Sequence, residues 1–154
     1  MDNVIKQTGV GRSNVDKREA FFAAESFHRI SQEIIPDNDR EDDGYWFVPS
    51  VVNMAFACEL YLKTIALYRT GEIKKYHNWL TIVNAIPGLI DELKELPRLA
   101  SYEKLEQKIK ESEGTFLEWR YPYEHTHTKC VDIAFLEQFA NALNDYISKH
   151  CFLG

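Results

Sequence analysis

The sequence predicts an all-α protein, most simply an antiparallel bundle of four long helices with one short helical insertion. Three observations carry that expectation. Apolar residues recur at three- and four-residue steps through most of the chain, which is the helical period. No stretch alternates apolar and polar residues with the period of two that a half-buried strand needs. Proline and glycine fall between the periodic blocks, at Pro36, Gly71, Pro87, Pro97 and Gly114, where they end helices.

A chain of 154 residues fits one domain. Residues 1–13 read as a loose arm, with Gly9 and Gly11 breaking any pattern, and residues 14–154 as a single helical domain. Asn14 or Asp16 caps a first helix that runs to about Ile35, with Phe21, Ala24, Phe27, Ile30 and Ile34 on one face. Pro36 stops it. In the acidic stretch that follows, Asp39, Glu41, Asp43 and Gly44 mimic the opening of a calcium loop. The twelfth position of that frame is Ser50, where a bidentate Glu is needed, and Pro49 intrudes. The stretch therefore reads as a solvated acidic loop.

Pro49 suits the first turn of a second helix. Val51, Ala55, Cys58, Leu62, Ile65 and Ala66 form its stripe, and Phe56 and Leu60 widen it. A helix apolar on most faces belongs at the centre of its fold. Gly71 ends it as a C′ residue. His77 and Asn78 open a short third helix through about Ala85, and a further short piece covers Ile90 to Leu96. From Pro97 to Glu113, Leu99, Tyr102, Leu105 and Ile109 again have helical spacing. Val131, Phe135, Phe139, Leu143, Tyr146 and Ile147 mark a strong last helix, with Thr128 as its candidate cap.

Composition excludes several classes. The net charge of -6 argues against a broad electrostatic grip on nucleic acid or on anionic membranes. Cys58, Cys130 and Cys151 are odd in number and scattered, so a disulfide framework is not expected and a reducing cytoplasm is. The polar N-terminal stretch lacks the apolar core of a signal peptide. The most apolar stretch carries Glu59 and Lys63 at its middle, each costly in lipid, so it reads as a buried helix and no membrane partner is expected. No Gly-rich phosphate loop, nucleophile elbow or HExxH motif occurs, and no cofactor is implied.

The segment FLEWRYPYEHTH, residues 116–127, concentrates the chemistry. Pro122 cannot continue a preceding helix and pushes Tyr121 away from the α region. Arg120 thus sits before a break and His125 after it, and a turn can bring the two together. Arginine matches phosphate oxygens with a fixed cationic fork. Histidine moves a proton near neutral pH. Chance supplies roughly one Arg-x4–6-His match in a chain of this make-up, so spacing alone is weak evidence. Two structural readings stand beside the catalytic one. Arg120 can pair with Glu59, which needs a partner on its apolar helix and has Lys63 one turn on. His125 and His127 can be exposed turn residues. A zinc site at His125, His127 and Cys130 lacks a second ligand pair, so no metal is expected.

Three blocks, AFACELYLKTIALYRTG at 55–71, YHNWLTIVNAI at 76–86 and FLEWRYPYE at 116–124, resemble a HEPN domain. They span most of the chain from about residue 14 to 150. The resemblance implies a helical bundle that dimerises. Many HEPN proteins are metal-independent RNA endonucleases of toxin–antitoxin, phage-defence and RNA-processing systems. Their site is an Arg-x4–6-His motif completed by the same motif of a second subunit. Carried over, Arg120 would hold the scissile phosphate and His125, with His127 as the alternative, would move the proton. A nucleotidyltransferase-like antitoxin would be the matching partner. Glu59, Lys63, His77, Tyr121 and Glu124 would form a supporting polar cluster. Tyr121 stands where catalytic members commonly carry a polar residue, and RYPYE also resembles members without evident catalysis. The resemblance therefore also implies a second role, a non-catalytic module that binds RNA, a nucleotide or a protein.

Overall fold

The computed structural model describes residues 16–33, 43–72, 74–121 and 131–152. These are mostly helical (75%), with no strand among them. Seven helices follow in order: α1 (Lys17–Glu33), α2 (Asp43–Thr70), α3 (Trp79–Asn84), α4 (Leu89–Lys94), α5 (Leu105–Ser112), α6 (Thr115–Arg120) and α7 (Ile133–His150).

α2 is the axis. It packs against α1, α7, α6 and α3. Its stretch Phe47–Thr70 is long and apolar enough to cross a membrane, and the most apolar window is 67% buried against the other helices. The small residues Ala55, Ala57, Cys58 and Ala66 are fully buried, with Tyr61, Leu62 and Ile65 filling between them. Small side chains let neighbouring helices approach closely, and the large ones fill the remaining space. Trp79 of α3 stacks on Phe139 of α7, and Phe139 stacks on Phe135. Gly71 ends α2 at φ +71°, its N–H donating to the Leu67 carbonyl, as a left-handed C′ glycine should.

Four details depart from the sequence pattern. First, α2 begins at Asp43 rather than at Pro49, which lies inside it. Proline's fixed φ is helical, so a turn can precede it at the loss of one backbone donor. Second, the core line of α1 is Phe21, Ala24, His28 and Ser31, while Ile30 is exposed. The apolar residues there are one position off the helical line, and two polar ones occupy it. His28 Nδ1 meets the Tyr61 hydroxyl at 2.9 Å, which also accepts from Asn144. Ser31 donates to the His28 carbonyl.

Third, residues 97–113 are not one helix. The N–H groups of Leu96, Leu99 and Tyr102 each donate three residues back, and α-helix begins only at Leu105. A chain of tight turns has a three-residue repeat, which apolar spacing cannot tell from an α-helix. Fourth, Asp132 caps α7, accepting from the Phe135 N–H. Asp132 also accepts from Lys108 at 2.7 Å, which ties α5 to α7. The candidate cap Thr128 and the arm 1–13 lie outside the described residues.

Candidate functional site

Glu59 and Lys63 sit one turn apart on α2. The surrounding helices leave Glu59 6% exposed, so its carboxylate needs partners. Oε1 accepts from Lys63 Nζ at 2.9 Å and meets His77 Nδ1 at 2.7 Å. A carboxylate can only accept, so opposite a carboxylate at Glu59 the proton of a neutral His77 belongs on Nδ1. The Nε2 of a neutral His77 is then the open, basic nitrogen. The His77 side chain is 75% exposed.

Glu113, between α5 and α6, fixes the segment that carries His77. Its Oε2 accepts from the Leu80 N–H at the start of α3, and Oε1 accepts from Asn78. Asn78 makes no side-chain cap of its own. A carboxylate at a helix N-terminus is favourable, and Lys110 holds Glu113 from the other side at 2.8 Å.

α6 closes the opposite wall. Phe116 stacks on Phe56 of α2 at 4.9 Å, and Trp119 meets Phe47 edge-on. This docks the helix and leaves Arg120, at its last position, exposed. The guanidinium lies 5.6 Å from the centre of the Phe116 ring and 5.0 Å from that of Tyr121. Aromatic faces attract a cation and hold it without neutralising it. Together Glu59, Lys63, His77, Glu113, Phe116 and Arg120 line a cleft of about 580 Å³, within the usual range for small-ligand sites.

The structure thus joins four of the residues singled out from sequence, Glu59, Lys63, His77 and Arg120, with Tyr121 under the arginine. Among the described residues the ion-pair partners of Glu59 are Lys63 and His77 rather than Arg120. Glu124, His125, His127 and Cys130 lie outside the described residues. Among the described residues no group of three or more His, Cys, Asp and Glu gathers as a metal site. Glu113 was not among the residues read from sequence. Its contact with Leu80 spans 33 positions, and no local pattern announces it. Phe56, which the sequence places on the widened apolar stripe of α2, stacks with Phe116 to build the wall.

A second polar cluster lies further along α2. Arg69 donates to both carboxylate oxygens of Glu92 at 3.1 Å, to the Tyr146 hydroxyl and to the Pro87 carbonyl. Tyr146 donates in turn to Glu92, and burial, with the Glu92 hydrogen bond second, pushes its hydroxyl up to about 12. No protein-family model, curated protein or solved structure matches the chain.

Proposed function

We propose that the chain is a HEPN-like protein that pairs as a homodimer in the cytoplasm and cuts RNA without a metal ion. In this reading α1, α2 and α7 are long members of an antiparallel four-helix bundle. α5 and α6 together form the fourth, and α3 and α4 are the insertion. The packing of α2 against α1, α7, α6 and α3 supports that arrangement.

The observation that carries the reading is the state of Arg120. It stands exposed at the rim of a nucleotide-sized cleft, on two aromatic faces, with no ion pair to a described carboxylate. A cation held this way offsets the charge that grows on a phosphodiester as it reacts. The 2′-hydroxyl loses its proton to a histidine, forms the P–O2′ bond and expels the 5′-oxygen, which takes up a proton. His125, or His127 in its place, acts in that proton chemistry as general base or acid, contributed by the matching motif, and a nucleotidyltransferase-like antitoxin restrains it. The net charge of -6 favours a second reading, a non-catalytic module that binds RNA, a nucleotide or a protein through the same cleft.

Cleavage of labelled single-stranded RNA in EDTA separates the two. Wild type, Arg120→Ala and His125→Ala are compared, each checked by circular dichroism and size-exclusion chromatography. EDTA-resistant cutting that is lost in both folded variants supports the nuclease. A folded wild type that binds RNA and leaves it intact supports the module.

A further inference from the structure

His77 is more exposed than its bond to Glu59 requires. Lys63 already neutralises that carboxylate at 2.9 Å. The imidazole adds a second donor to the same Oε1 and keeps three quarters of its surface in solvent. A carboxylate that holds Nδ1–H fixes the tautomer and aims Nε2 outward, the arrangement that makes histidine a directed base. Here Nε2 belongs to a ring lining the cleft that Arg120 also lines.

We infer that His77, oriented by Glu59, takes the proton of the attacking hydroxyl at a phosphodiester held by Arg120 and Lys63. The inference rests on the proposed RNA-cutting activity and names a base within the described cleft. The step balances. The 2′-O–H proton passes to His77 Nε2, the P–O2′ bond forms and the P–O5′ bond breaks. The departing 5′-oxygen takes a proton from the general acid of the proposed activity, and His77 returns its own to solvent. Glu59 touches neither substrate nor reacting atoms and is a positioning residue. Lys63 and Arg120 face the non-bridging oxygens.

The charged groups around His77 are Glu59 and Lys63 on α2, Glu113 with its partner Lys110 beside α6, and Arg120 on α6. Lys74, Lys75 and Tyr76 precede it on its own segment. A pH profile therefore needs Glu113→Gln as a control for field effects.

The test is single-turnover cleavage of labelled RNA in EDTA across pH 5 to 9, with the full chain. His77→Gln and His77→Asn are compared with wild type, because the asparagine amide can still donate to Glu59. Both are expected to lose at least about 100-fold in rate and to lose the acid limb of the profile, with unchanged melting temperature. Glu59→Gln, folded, is expected to lose about 10-fold and to change the His77 tautomer seen by ¹⁵N NMR. Glu113→Gln is expected to keep the limb. A wild type that cuts, with folded His77 variants that keep its rate and its limb, overturns this inference and leaves the nuclease standing. A wild type that cuts no RNA overturns both.

Discussion

Two polar clusters hang from α2 roughly 15 Å apart along its axis. Around Arg69 the donors turn inward. They meet Glu92, Tyr146 and the Pro87 carbonyl, and so bind the end of α2 to α4, to the turn before it and to α7. Around Glu59 the carboxylate is equally occupied, but the outer groups are not. The His77 ring and the Arg120 guanidinium face solvent across a cleft. Both clusters contain an arginine, a glutamate and an aromatic residue. The Arg69 cluster lines a cleft too, of about 550 Å³, so what separates a staple from a candidate site is that Arg69 is bound to Glu92, Tyr146 and Pro87 while Arg120 rests on aromatic faces.

The comparison is sharpest if each cluster is broken separately. Arg69→Ala is expected to cost about 2 kcal/mol, allowing for the part-exposed Glu92, and to leave RNA binding at the cleft unchanged. Urea unfolding and an RNA titration read the two effects. An Arg69→Ala protein of wild-type stability would show that the staple does not hold.

The next effect tests the interior between the clusters. Burial holds His28 below the ordinary histidine value, with Glu25 opposing. Its unfolded value is about 6.5, so the unfolded chain binds the extra proton first as pH falls. Stability from this site is complete above about pH 6.5 and declines below it toward the lowered folded value. His28→Gln should flatten that slope in urea midpoints measured at pH 7.5 and 5.5. Equal slopes in the two proteins would remove His28 as the cause.

A smaller effect lies at Gly71, two residues beyond Arg69. A Cβ there meets nothing within 4 Å, so the strain of φ +71° acts alone. Gly71→Ala is expected to cost about 1 kcal/mol, read as a shift in thermal midpoint. No shift would mean that the closed end of α2 yields more easily than its bonds imply.

Legibility followed the range of the interactions. The helical class, the central place of α2, the Gly71 stop and the opening of α3 at Asn78 were readable because each is local. The Glu59–Lys63 pair was readable too, as a one-turn spacing on an apolar helix. The broken backbone between Leu96 and Leu105 was not, because three-residue turns copy the spacing of a helix. The burial of His28 was hidden because its partner Tyr61 lies 33 positions away. Arg120 illustrates the limit most clearly. Sequence left it two roles, a cation for phosphate and a distant partner for Glu59, and could not show the two aromatic faces that packing supplies, since Phe116 docks on Phe56.

The most direct measurement sets Arg120→Ala beside Arg69→Ala in one pair of assays, single-turnover RNA cleavage in EDTA and thermal midpoint. Arg120→Ala is expected to lose at least about 100-fold in rate while its stability changes by less than about 1 kcal/mol. Arg69→Ala is expected to melt earlier and, while folded, to cut at the wild-type rate. Rates that fall in both variants only in proportion to lost stability would contradict the account, and would make the cleft one more staple.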